Sequence, residues 1–99
     1  MIAILKKDNW YRAAVVCDHC GRTIDDAMAA LAVSSSAPEG TMAQAFHVHK
    51  GECDRSLCAK LGGIHGSEEL AVHLLDLVRN TLGKSDMQGV QNLMKWSEI

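Results

Sequence analysis

Two segments of the chain carry residues whose types and spacing could do chemistry: Cys17-Asp18-His19-Cys20-Gly21 and Phe46-His47-Val48-His49-Lys50-Gly51-Glu52-Cys53. Soft thiolates together with imidazole are the donor set zinc prefers, and four of them complete a tetrahedral sphere. Cys17, Cys20 and Cys53 supply three donors. His49 is the expected fourth, because His49-x-x-x-Cys53 brings a strand-end imidazole and a helix-start thiolate together across the Lys50-Gly51 turn. His47, on the same strand face but two residues further from the turn, is the second choice. The pattern Cys-x2-Cys-x28-His-x3-Cys thus predicts a structural Zn2+ site at Cys17, Cys20, His49 and Cys53. Cys58 lies five residues beyond Cys53, a rotation of about 140° on a helix, and reads as a small buried hydrophobe. His65 is a weaker loop candidate. His19 is expected to face solvent, and His73 to be a solvated histidine beside Asp76.

The alternatives for the same residues are weaker. A redox Cys-x-x-Cys normally opens a helix inside a βαβ unit, and Gly-Arg-Thr follows here with no such pattern. Two disulfides would suit a secreted miniprotein, whereas Met1-Ile2-Ala3-Ile4-Leu5-Lys6-Lys7 puts its charges after a very short apolar run, the reverse of an export signal. A catalytic zinc keeps one coordination position open for water, and three thiolates with one imidazole leave none. No catalytic residue is therefore assigned. A zinc deaminase would need His-x-Glu and a separate Pro-Cys-x-x-Cys, and the only proline is Pro38. A His-metal nuclease using His47, His65 or His73 is a remote alternative, lacking an identifiable carboxylate partner set.

The elements that must position these ligands follow from the pattern of the chain. Residues 2–5 are apolar and β-prone, and Lys6-Lys7-Asp8-Asn9 reads as a turn. Trp10 to Cys17, rich in aromatic and β-branched residues, predicts a second strand delivering Cys17 at its end. Ala27 to Val33 is expected as a strand, Ser34 to Gly40 as a loop, and Thr41 to Val48 as the returning strand of a hairpin. Glu52 to Leu61 predicts a short helix stopped at Gly62-Gly63, with Cys53 in its first turn. A longer amphipathic helix is expected from Ser67 as N-cap, through acidic Glu68-Glu69, to a stop at Gly83. Its stripe of Leu70, Leu74, Leu77, Val78 and Leu82, thickened by Ala71 and Leu75, is expected to be core. A last segment with Ser85 and Gln88 in capping-box positions predicts a C-terminal helix weakened by Gly89. The expected class is α+β: a zinc-stapled β-hairpin with a short helix, then one amphipathic helix and a C-terminal one. Residues 1–83 would form the zinc-binding domain, and 84–99 an amphipathic segment that docks on it or binds a partner.

At 99 residues an apolar core alone gives marginal stability, so a metal centre would supply what it lacks. With 22% charged residues and a net charge of −2, the chain as a whole is neither a basic nucleic-acid tail nor an acidic solvating segment. Lys6, Lys7, Arg12, Arg22, Lys50 and Arg55 could still gather into a local nucleic-acid-binding patch. No run approaches the roughly 18 apolar residues of a membrane span, and a cytoplasmic location without membrane partners is expected.

The order of knuckle, hairpin and ligand at a helix start resembles a treble-clef zinc finger. Cys-Asp-His-Cys-Gly, Phe-His-Val-His-Lys-Gly-Glu-Cys-Asp and the later Ser-Glu-Glu-Leu, over roughly residues 14–82, also resemble small zinc-finger proteins of phages and prophages. The resemblance implies a small accessory protein of phage type, in the host cytoplasm, and no particular activity. The leading expectation is a non-catalytic regulatory module acting through protein–protein contacts, with Met87, Val90, Leu93, Met94 and Trp96 as candidate partner-binding residues. A zinc-finger nucleic-acid binder of transcriptional-regulator type is the alternative, and a homo-oligomer is compatible with either.

Overall fold

The computed structural model describes residues 1–62, 66–82 and 87–97. Five strands and three helices follow one another as β1 (Ile2–Lys7), β2 (Trp10–Val15), β3 (Ala30–Ser34), β4 (Ala45–His49), α1 (Glu52–Leu61), β5 (Gly66–Glu69), α2 (Leu70–Leu82) and α3 (Met87–Ser97), with a 3-10 turn at Ala27–Ala29 before β3. The α+β class is therefore observed. The strands form two separate sheets, an antiparallel ribbon β1-β2 and a three-stranded sheet in the order β4-β3-β5.

The ribbon closes through a two-residue turn, Asp8-Asn9, with Asp8 in the left-handed region at φ 56°. Short polar side chains tolerate that conformation because they can hydrogen-bond locally. Lys6 and Lys7, expected in the turn, instead extend β1 opposite Tyr11 and Trp10.

In the second sheet, β3 pairs with β4 so that Leu31 faces Val48 and Val33 faces Phe46, while Ala30 faces His49 and Ala32 faces His47. Alternation along the strands sends the first set to one face and the second to the other. On the first face Val33 and Val48 are buried with Cys17 and with Leu57 of α1. Across the sheet Ala30 and Ala32 are buried with Leu70 of α2. Small side chains there let the helix approach closely, and packing on both faces explains why Ala30–Ser34 reads as an apolar run rather than a clean alternation.

Four further expectations are corrected. Ala27–Ala29 is a 3-10 turn capped by the Asp26 side chain, which accepts from the Met28 amide at 2.9 Å, so β3 starts only at Ala30. The return strand starts at Ala45 rather than Thr41. Ser67, Glu68 and Glu69 are not a helix cap and first turn: they form β5, with Ser67 opposite Val33 and Glu68 opposite Ala32. The unpaired edge of β3 competes for this backbone and wins over the capping chemistry. Finally, the α2 stripe is not all core. Leu70 is buried and Leu74 packs beside it, but Leu75, Leu77 and Val78 are exposed by 57%, 40% and 40%. The expected helix stop at Gly83 and the cap at Ser85 fall outside the described residues, while α3 forms despite Gly89.

Candidate metal centre

Three elements deliver the four candidate ligands. Val16 bridges to Thr23, and the Cys17 amide donates to the Arg22 carbonyl at 2.8 Å, closing the knuckle between them. Inside it the Gly21 amide donates to the Cys17 carbonyl at 3.0 Å, at a φ of 76° that favours glycine. His49 ends β4. Lys50-Gly51 then turns the chain, Gly51 adopting φ 92° and ψ −122° as the N-cap of α1, so that Cys53 comes back as the second residue of the helix.

The knuckle is fastened to β4 by a reciprocal pair: the Asp18 amide donates to the His47 carbonyl at 2.7 Å, and the His47 amide donates to Asp18 Oδ2 at 2.7 Å. This holds Cys17 and Cys20 opposite His49 and Cys53. One donor atom from each of Cys17, Cys20, His49 and Cys53 lies within 4.8 Å of every other, the one such cluster among the described residues. Cys17 is buried, Cys20 exposed, and His49 and Cys53 half-buried.

The donor set fits a metal ion such as zinc. His49 Nδ1 lies 3.5 Å from Cys20 Sγ, close to the roughly 3.6 Å edge that Zn–S and Zn–N bonds of about 2.3 and 2.05 Å make at a tetrahedral angle. The protonation energetics point the same way. Burial pushes the Cys17 thiol up, but backbone amides of Cys20, His49 and His19 aimed at the sulfur outweigh it and bring the pKa down to about 6. Cys53 is pushed up to about 11 by burial and by the adjacent Cys17 and Cys20 sulfurs. Sulfurs this close oppose one another's ionisation, and a bound dication removes that opposition.

His47, the second-choice ligand, has a different environment. Two residues from His49 on the same strand face, it is 6% exposed, and its Nδ1 accepts from the Met1 ammonium at 2.8 Å. That ammonium also donates to Asp18 Oδ2 at 2.9 Å. An ammonium can only donate, so Nδ1 is unprotonated and the proton sits on Nε2, which is buried without a hydrogen-bond partner among the described residues. Burial and the positive terminus hold the His47 pKa below its ordinary value, against the opposing Asp18 carboxylate. Its ring centroid lies 5.5 Å from that of His73. His73, expected on a solvated face, instead has Nδ1 2.9 Å from Glu68 Oε1, because β5 puts Glu68 beneath it. The contacts of Asp18 and Met1 with His47 have no signature in the sequence beyond an Asp inside the knuckle, where short carboxylates bind nearby amides.

Cys58 stays outside the cluster, its thiol donating to Asp54 Oδ1 at 3.4 Å and its side chain packing against the Cys17–Leu57 core. His19 is exposed, and His65 lies outside the described residues. The basic residues are spread over several elements. Lys50 Nζ pairs with Glu69 Oε2 at 2.7 Å, Arg22 lines a groove with Cys20, Thr23, Asp25, His49 and Cys53, Arg55 sits on α1, and Lys6, Lys7 and Arg12 share the ribbon. In α3, Val90 is half-buried while Leu93 and Met94 are exposed by 71% and 54%; the side chains of Met87 and Trp96 lie outside the described residues. No helix among the described residues is long and apolar enough to cross a membrane.

Comparison of the chain with protein-family models, with curated proteins and with solved structures gave no match. The cluster is a candidate centre of a small zinc-binding domain, and the resemblance to phage zinc-finger proteins acquires no family from these comparisons.

Proposed function

We propose that this chain is a non-catalytic zinc-binding interaction module, in which Cys17, Cys20, His49 and Cys53 hold a structural Zn2+. The observation that carries this reading is the convergence of four protein donors within 4.8 Å. A sphere filled by three sulfurs and an imidazole leaves no position for water or substrate. The ion then serves as a staple: it ties the knuckle, the end of β4 and the first turn of α1 together, the arrangement of a treble-clef finger. In so small a domain such a bond is folding energy.

The working surface is apolar and helical. Leu75, Leu77 and Val78 of α2 and Leu93 and Met94 of α3 are all at least 40% exposed, and exposed Leu and Met side chains on helices suit a protein partner. An accessory role in the cytoplasm, as the resemblance to phage and prophage finger proteins implies, agrees with cysteines committed to metal rather than disulfides.

The test has two readouts. Purified protein should carry one zinc per chain, and cobalt substitution should give the absorption of a tetrahedral thiolate-rich site; a fold and metal content unchanged by dialysis against a strong chelator would refute the staple. Leu75→Glu and Leu93→Glu should abolish partner capture while the cobalt spectrum persists. An unaltered set of captured proteins would refute the helical surface.

A further inference from the structure

The ribbon β1-β2 is a separate two-stranded sheet, and its side chains are those a nucleic acid would engage. Residues directly opposite on an antiparallel pair share a face. On one face Trp10 stands opposite Lys7 and Arg12 opposite Leu5; on the other Tyr11 stands opposite Lys6 and Ala13 opposite Ile4. Each face thus presents an aromatic ring beside a cation. Trp10 is 54% and Tyr11 68% exposed, and Lys6 Nζ lies 5.7 Å from the Tyr11 ring centroid.

Charge singles out this element. Residues 1–16 hold three cationic side chains, Lys6, Lys7 and Arg12, against the single carboxylate Asp8, in a chain whose net charge is −2. Elsewhere Lys50 is offset by Glu69, and Arg55 follows Glu52 and Asp54 on α1. We propose that the β1-β2 ribbon is a binding arm for single-stranded nucleic acid, the strand crossing from one face of the ribbon to the other so that one base stacks on Trp10 with phosphates held by Lys7 and Arg12, and another on Tyr11 with a phosphate held by Lys6. Exposed rings with few cations suit a single strand, where stacking supplies affinity and every base has a face to offer. A duplex hides those faces and relies on a larger number of phosphate contacts. This inference does not depend on the helical partner surface.

The test uses the full zinc-loaded chain with Trp96→Phe, leaving Trp10 as the only tryptophan, and a labelled oligothymidylate of about 15 nucleotides. Binding by anisotropy should quench Trp10 emission, and log Kobs should fall against log salt with a slope of about −2, as expected for three phosphate contacts on a single strand. Trp10→Ala and Tyr11→Ala should each weaken binding roughly 5- to 140-fold with the slope retained, and Trp10→Phe should recover most of the loss. Replacing Lys6, Lys7 and Arg12 by Gln should bring the slope toward zero. The cobalt spectrum of every variant reports whether the body is intact. Absence of binding at about 20 mM salt, binding unaffected by these variants, or preference for the matching duplex would overturn the proposal. Salt-insensitive self-association lost in Trp10→Ala would overturn it as well, and reassign the ribbon to protein contacts.

Discussion

His49 Nδ1 stands 3.5 Å from Cys20 Sγ, 29 residues away in the chain, while His47 on the same strand face points its Nδ1 at the Met1 ammonium. Two histidines of the same strand parity therefore have separate duties. The end of β4 belongs to the thiols; one pleat back, the strand belongs to the docking of the knuckle.

That division predicts opposite phenotypes. His49→Ala should weaken zinc binding by more than the 10- to 100-fold that loss of an outer partner typically causes, and His49→Cys should restore a tetrahedral cobalt spectrum with four thiolates. His47→Ala should retain one metal per chain and lose stability instead, by about 1–3 kcal/mol, as it removes a buried ring and leaves the Met1 ammonium without one of its acceptors, while the His47 amide still donates to Asp18. Cobalt titration and denaturant unfolding separate the two; a His47→Ala protein that cannot hold metal would contradict the assignment.

Asp18 touches no metal donor, yet it accepts from the His47 amide and the Met1 ammonium. Asp18→Ala should therefore lower zinc affinity by roughly 10- to 100-fold without changing the ligand set. Competition with a chromophoric chelator measures the affinity, and an unaltered cobalt spectrum establishes that the four donors remain. Equal affinity in the two proteins would mean that the knuckle is positioned by the metal alone.

What is legible in the sequence is what local rules govern. Cys17-x-x-Cys20 encodes its own turn, and Gly62 ends α1 where expected, in the left-handed conformation at φ 62°. His49-x-x-x-Cys53 brings its two donors together across a turn only two residues long. What is illegible depends on distant partners. Nothing near Asp18 announces contacts with residues 17 and 29 positions away. Ser67-Glu68-Glu69 carries sound capping chemistry, and only the free edge of β3 turns it into a strand. Likewise Leu75 and Val78 have the period of a buried stripe, because periodicity records which side of a helix is apolar and not whether anything covers it.

The strand assignment at Ser67 has a direct consequence. As a helix N-cap its replacement by Ala would cost about 1 kcal/mol, whereas an exposed residue of β5 should tolerate Ser67→Ala within about 0.5 kcal/mol. Leu70, buried at the start of α2 against Ala30 and Ala32, should cost about 2–5 kcal/mol as Leu70→Ala. Urea unfolding of zinc-saturated protein gives both numbers, and a large Ser67→Ala effect would reinstate the cap.

Gly51 is the joint between His49 and Cys53. A Cβ there would meet no atom within 4 Å, so crowding is not the issue; the conformation at φ 92° and ψ −122° is. Gly51→Ala should destabilise the fold by about 1–3 kcal/mol through backbone strain, and relief of that strain would displace Cys53. The loss should be visible as a lower Tm together with a broadened cobalt spectrum. A neutral substitution would show that the joint relaxes without moving the thiol.

Cys58 offers a check on the cluster from outside it. Burial and the Asp54 carboxylate raise its pKa above the ordinary 9.0. In zinc-loaded protein the other three thiols are committed to metal, so alkylation should proceed slowly at pH 8 and accelerate only as the pH climbs past 9.0. The sign follows from linkage: below 9.0 the thiol is protonated in folded and unfolded chains alike, and above it the unfolded chain releases the proton first, so stability is lost as pH rises. Asp54→Asn removes the neighbouring charge and should speed alkylation several-fold at pH 9, while burial keeps the thiol slower than a free cysteine. Mass spectrometry should find one modified cysteine per zinc-loaded chain and four after chelation; four modified cysteines with zinc still bound would mean that the sulfurs do not hold it.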